Sequence, residues 1–268
     1  MNEAQTIPAV TFVPGMFCWW EVVTTDLTSA KAFYSNLFGW EYKENPISED
    51  QVYVMYNIDG QDVGASYQLT KDMLEQGVHP HWSVYIATDD VDAATTKADE
   101  LGGTIIMAPF DVFDVGRMSV IQDPTGAVFA LWQAKAHPGA QRINSINAVC
   151  WNELLTRDAS KAGAFYSGLF GYGLQTHDMG MGPYTTFMDG EAFRGGMMEM
   201  GEEFGEIPPH WMTYVQVEDC DTTVAKAQDL GAKVMYPAND LPEVGRFAVL
   251  QDPQGAVFSV ITLLNANP

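Results

Sequence analysis

The sequence predicts an α+β protein of two tandem domains, each made of paired βαβββ units. Three observations carry that prediction. Residues 17–40, FCWWEVVTTDLTSAKAFYSNLFGW, return at 149–172 as VCWNELLTRDASKAGAFYSGLFGY, with 13 identities in 24 positions. Such self-similarity at a fixed offset marks a duplication. The repeat then runs on: PHWSVY from Pro80 answers PHWMTY from Pro209, VGR at 115–117 answers 244–246, and QDPTGAVF at 122–129 answers QDPQGAVF at 251–258. Finally, the hydrophobic period switches between two and 3.6 in the same order in each half. A chain of 268 residues suits two domains of ordinary size. They are placed at 10–136 and 145–266. Residues 137–144, inside AKAHPGAQRINS with its Pro-Gly, are the linker.

Residues 17–24 alternate and are rich in β-branched and aromatic side chains, which predicts a strand. Asp26 suits a helix N-cap, because its carboxylate can accept from the orphan backbone N–H groups of the first turn. Ala30, Phe33, Tyr34, Leu37 and Phe38 then mark one face of a helix. Gly39 is placed for a left-handed C-terminal cap. Strands are predicted near 40–45, 52–59 and 62–69. The unit restarts with a strand near 82–88 and a helix near 91–101 closed by Gly102. Strands near 104–109, 116–122 and 127–133 complete it, and DPTG at 123–126 is the turn between the last two.

Composition narrows the function. Thirteen basic residues stand against 35 acidic ones, for a net charge of −22. Such a surface repels phosphate backbones and anionic lipid, so neither nucleic acid nor a membrane is expected as a partner. No apolar run approaches the roughly 20 residues that span a bilayer, and MNEAQTIPAV lacks the basic start of a signal peptide. Cys18, Cys150 and Cys220 are odd in number and show no C-x-x-C spacing. That pattern suits a reducing compartment, and a cytoplasmic location is expected.

The order βαβββ–βαβββ, with D…A…FY…LFGW, DDVDAA…ELGG and DPTGAVF, resembles the vicinal oxygen chelate superfamily of glyoxalase I, extradiol dioxygenases and bleomycin-resistance proteins. The resemblance covers nearly the whole chain. It implies that each domain curls a mixed sheet into a cup with its helices outside. It also implies metal ligands (His, Gln or Glu) on the inner face, at positions that here are Trp19, Ser83 and Ala130, and again Trp151, Met212 and Ser259. These side chains do not assemble a divalent site, which wants imidazole and carboxylate. No metal or other cofactor is expected.

Alternation puts Trp19, Glu21 and Val23 on one face of the first strand, and the resemblance makes that the cup face. Glu21, and Glu153 beside Trp151, would then be carboxylates facing an aromatic pocket, with raised pKa values. Such a group can accept from a ligand hydroxyl, bind a cation or act as a base. Tyr85, Tyr214 and Trp132 share the cup parity. His81 and His210 are strand-end caps or ligands, and Arg117 and Arg246 are anion clamps or internal partners for the glutamates. His79, His137 and His177 lack counterparts and are expected on the surface. No catalytic residue is assigned.

Three classes of function follow. The chain binds a small molecule in aromatic cups without metal. Alternatively, it is a glyoxalase-like lyase or dioxygenase with relocated ligands, Glu21 with His81 and Glu153 with His210. Or it is a structural or regulatory protein with vestigial cups. A monomer should suffice, since one chain already holds four units, with higher assembly left open.

Overall fold

The computed structural model describes residues 10–178 and 182–265; residue 266, the expected end of the second domain, lies outside them. The first half runs β1 (Phe17–Thr24), α1 (Leu27–Phe38), β2 (Glu41–Pro46), β3 (Val52–Ile58), β4 (Gln61–Gln68), α2 (Lys71–Glu75), β5 (His81–Ala87), α3 (Val91–Glu100), β6 (Thr104–Val112), β7 (Gly116–Gln122) and β8 (Val128–Ala134). The second repeats it as β9 (Val149–Thr156), α4 (Ala159–Phe170), β10 (Gly173–Asp178), β11 (Pro183–Asp189), β12 (Ala192–Glu199), β13 (His210–Gln216), α5 (Cys220–Asp229), β14 (Lys233–Leu241), β15 (Gly245–Gln251) and β16 (Val257–Leu263). The short α2, capped by Thr70, was not expected. Five residues are too few to show a helical period.

Local chemistry fixes the boundaries. Asp26 accepts from the Ser29 amide at 3.0 Å and starts α1. Gly39 ends it at φ 72°, in the left-handed region that a side chain would disfavour. Asp158 and Gly171 do the same for α4. Each half forms one eight-stranded sheet, ordered β2-β3-β4-β1-β5-β8-β7-β6 and β10-β11-β12-β9-β13-β16-β15-β14. The two units of each half meet at the antiparallel pairs β1·β5 and β9·β13. The pairs β1·β4, β5·β8, β12·β9 and β13·β16 are parallel.

The two halves pack helix face to helix face around one continuous apolar core. Their contacts are reciprocal. The Tyr34 hydroxyl donates to Asp252 at 2.9 Å, and the Tyr166 hydroxyl to Asp123 at 3.0 Å. Lys97 caps the end of α4 through the Leu169 carbonyl, and Lys226 caps α1 through Leu37. Tyr34 lies against Phe258, and Tyr166 against Phe129. Each pair exchanges equivalent residues, so a pseudo-twofold axis relates the halves. The faces turned away from the helices, the cup faces, therefore look in opposite directions.

Candidate functional site

Centre and side chains of the first site come from β1, β3 and β5. In the β1·β5 register, Glu21 lies opposite Ser83 and Trp19 opposite Tyr85, which places all four on the cup face. The Tyr53 hydroxyl donates to Glu21 Oε1 at 2.5 Å and the Tyr85 hydroxyl to Oε2 at 2.6 Å. Trp19 Nε1 donates to the Tyr53 oxygen at 2.8 Å. The second half repeats the arrangement around Glu153 with equivalent residues. The Tyr214 hydroxyl donates to Glu153 Oε2 at 2.9 Å and Trp151 Nε1 donates to the Tyr184 oxygen at 2.8 Å, with Tyr184 close enough to Glu153 for the carboxyl to add to burial in raising the phenol's pKa. Gly196 makes room for this: a Cβ there would lie 1.9 Å from the Tyr184 oxygen.

Both carboxyls are buried, at 5% exposure for Glu21 and 9% for Glu153. Burial pushes both pKa values up, and the tyrosine donors only partly oppose it. A raised folded-state value stabilises the protein fully below the ordinary carboxylate pKa of about 4.3, and that contribution is lost as pH rises through the raised value. The stability of wild type minus that of a Glu21→Gln, Glu153→Gln protein should therefore shrink as pH increases from about 4. Denaturant unfolding across pH checks the sign, and a difference growing with pH would contradict it.

The expected neighbours divide into those that join the site and those that do not. Trp132 packs edge-on to Tyr85, with ring centroids 6.2 Å apart. His81 and His210 lie at the rim. Each ring bonds a local carbonyl through Nδ1 (His79 and Pro208), and His81 Nε2 also meets Ser83 Oγ at 3.1 Å. Burial holds both below the usual imidazole range.

Arg117 and Arg246 are corrected. They face α3 and α5, where Arg117 pairs with Asp92 and Asp111, and Arg246 with Asp221 and Asp240. The reason is parity: Met118 pairs with Trp132 on the cup face, so Arg117, one residue away, points to the other side. Neither arginine serves the glutamates. His137 is corrected too. It is half-buried, edge-on to Trp19 at 4.4 Å, and its carbonyl accepts from Trp132 Nε1.

Tyr53 and Tyr184 were not foreseen. Their signal was a weak one, a tyrosine recurring in YVMY and YTTF.

The metal that the family resemblance implies does not fit these residues. Indole, hydroxyl, methyl and thioether groups stand where ligands would be, and the Trp19 and Trp151 N–H groups are already spent on tyrosines. Glu21 is held by two tyrosines, and both nitrogens of His81 are engaged. Among the described residues, no group of three or more His, Cys, Asp or Glu is placed to hold an ion. No described helix is long and apolar enough to cross a membrane.

Comparison with known proteins agrees with the fold. Residues 17–131 match the Glyoxalase/Bleomycin resistance protein/Dioxygenase superfamily model, and 148–261 match a glyoxalase-like domain. The chain is 44% identical over 245 residues to "Putative glyoxylase CFP32" of Mycobacterium tuberculosis, covering 91% of this chain and 93% of that one. It is 35% identical over 269 residues to the anthracycline biosynthesis protein DnrV of Streptomyces peucetius, covering 96% of each. Among solved structures it resembles the Mn(II)-bound glyoxalase of Novosphingobium aromaticivorans, with TM-score 0.64 and 15% identity over 94% of this chain and 83% of that one. The 2,3-dioxygenase LapB of Pseudomonas sp. KL28 gives TM-score 0.63 and 12% identity over 94% and 93%. On its duplicated βαβββ architecture, both domain matches and these relatives, the chain belongs to the glyoxalase/bleomycin resistance/dioxygenase superfamily.

Proposed function

We propose that this chain binds a small molecule on its cup faces, around Glu21 and Glu153, without the metal centre of its enzyme relatives. The observation that carries the reading is the Trp–Tyr–Glu–Tyr cluster, built twice with no cation in it. A carboxyl offers about four lone-pair sites, and the two tyrosines take two. The remainder suits a ligand hydroxyl, with aromatic rings around it for an apolar body. The relative named for anthracycline biosynthesis supports a hydroxylated aromatic ligand. A metal-dependent lyase or dioxygenase reaction would need donors that Trp19, Ser83 and Ala130 do not supply.

Hydroxylated aromatic compounds screened by thermal shift, beside elemental analysis, test this reading. A ligand bound only by the folded protein should raise the melting temperature. Glu21→Gln should weaken binding about tenfold or more while changing stability by less than about 1 kcal/mol, since no ion pair is broken. Metal should fall far below one ion per domain. Stoichiometric Zn, Ni, Mn or Fe, with melting lowered by a chelator, would sink the proposal.

A further inference from the structure

Equivalent residues that touch each other across a twofold must lie beside the axis. Trp20 and Asn152 do so. They occupy the same position of the repeat, 132 residues apart, and Trp20 Nε1 donates to Asn152 Oδ1 at 2.8 Å. The strands beside them agree, because β5 and β13 are also equivalent and meet across the interface. Opposite Trp20 in its own sheet stands Val84; opposite Asn152 stands Thr213. All four are buried. The first half thus brings an indole and a valine to the axis, and the second an amide and a hydroxyl.

The asymmetry extends one step outward. Phe17 packs edge-on to Trp211 of the other half with centroids 4.9 Å apart, and the residue equivalent to Phe17 is the smaller Val149. Much of the remaining interface is matched, Tyr34 with Tyr166, Asp123 with Asp252 and Lys97 with Lys226, although Trp40 on the Asn147 carbonyl answers Tyr172 on the Gly15 carbonyl. A symmetric surface of that kind can pair with its own copy as well as with its partner. At the axis itself the two halves differ most directly, because there each residue meets its own equivalent. Two first halves would drive one Trp20 indole into another where an asparagine now fits. Two second halves would bury two amides and two threonine hydroxyls, and the Thr213 hydroxyl is already without a partner.

We infer that the Trp20–Asn152 pair is a specificity device, which makes the helix face of the first half reject a second copy of itself and accept a half with a small polar residue at the axis. Selectivity here comes from penalising the wrong pair as much as from favouring the right one. The inference does not depend on any ligand in the cups.

The full-length chain tests it through Trp20→Asn, Asn152→Trp, Asn152→Ala and the exchanged Trp20→Asn, Asn152→Trp protein. Asn152→Trp overpacks the axis and should lower the melting temperature by on the order of 5–10 °C. Asn152→Ala leaves the buried Trp20 N–H without its acceptor but adds no bulk, and should lose less than Asn152→Trp, which loses the same bond and overpacks the axis as well. The exchanged protein should recover at least half of the sum of the two single losses, because the large and small residues merely change sides. Trp20→Asn, refolded from denaturant at rising concentration, should give dimers by light scattering where wild type gives none. Losses in the exchanged protein equal to or above the sum of the singles would overturn the inference. So would an Asn152→Ala loss matching Asn152→Trp, or a Trp20→Asn protein that refolds only as monomer. Should the exchanged protein not fold, the Asn152→Ala comparison and the dimer assay still decide.

Discussion

Asp252→Ala should cost about 3–5 kcal/mol and lower the melting temperature by roughly 10 °C or more. One oxygen of this buried carboxylate accepts from the Gln254, Gly255 and Ala256 amides, and the other from Tyr34 of the opposite half. Alanine leaves the Gln254 and Ala256 amides and the Tyr34 hydroxyl without this acceptor, while the Gly255 amide keeps only the backbone carbonyl of residue 252; the Ala256 and Tyr34 donors are buried. Asp123→Ala removes the same set around Thr125, Gly126, Ala127 and Tyr166 and should behave alike. Tyr34→Phe separates the contributions: it spares the turn but removes the bond between halves and the acceptor of Trp82 Nε1, 3.1 Å away, and should cost about 2–3 kcal/mol. Chemical denaturation of the three proteins checks the ranking. Asp252→Ala within 1 kcal/mol of wild type would mean that the turn does not anchor the interface.

Glu21→Leu is the second large effect. Leucine is similar in bulk, so the loss comes from the hydroxyls of Tyr53 and Tyr85, each left buried without its acceptor at about 1–3 kcal/mol. Relief of the buried carboxyl offsets part of this, for a net loss of about 2–4 kcal/mol. Glu21→Gln keeps an acceptor and lets one hydroxyl reverse, so it should stay near wild type. The contrast between leucine and glutamine is the readout, because an ion-paired glutamate would lose heavily to both. Glu21 lies on the cup face of the first sheet and Asp252 in the turn between β15 and β16 of the second, and they share no partner, so their losses should add.

The fold was legible because its signals are local. The Asp26 cap, the Gly39 stop and the one-faced apolar pattern of α1 each lie within a few residues of what they determine, and the duplication shows each twice. The centre of the site was legible for a similar reason: once β1 alternates, Glu21 and Trp19 must share a face. Partners were harder. Tyr53 reaches Glu21 from β3, two strands away in the sheet order, and strand order is not written in local periodicity. Arg117 is no internal partner of Glu21 because a single residue of register turns it to the face away from the cup. His137 is half-buried by the path of the linker, which returns over Trp19 and pairs the Ala140 amide with the Cys18 carbonyl.

The bond between Tyr34 and Asp252 also carries a statement about time. The two are 218 residues apart, so at about 5–20 residues per second a nascent chain carries Tyr34 for roughly 10–45 s before its partner has been made. Through that interval the helix face of the first half has no second half to meet. On a crowded message, the nearest matching surface belongs to an identical first half on a neighbouring ribosome. A face that admitted its own copy would be captured there, and a Trp20 at the axis keeps it waiting for the rest of its own chain.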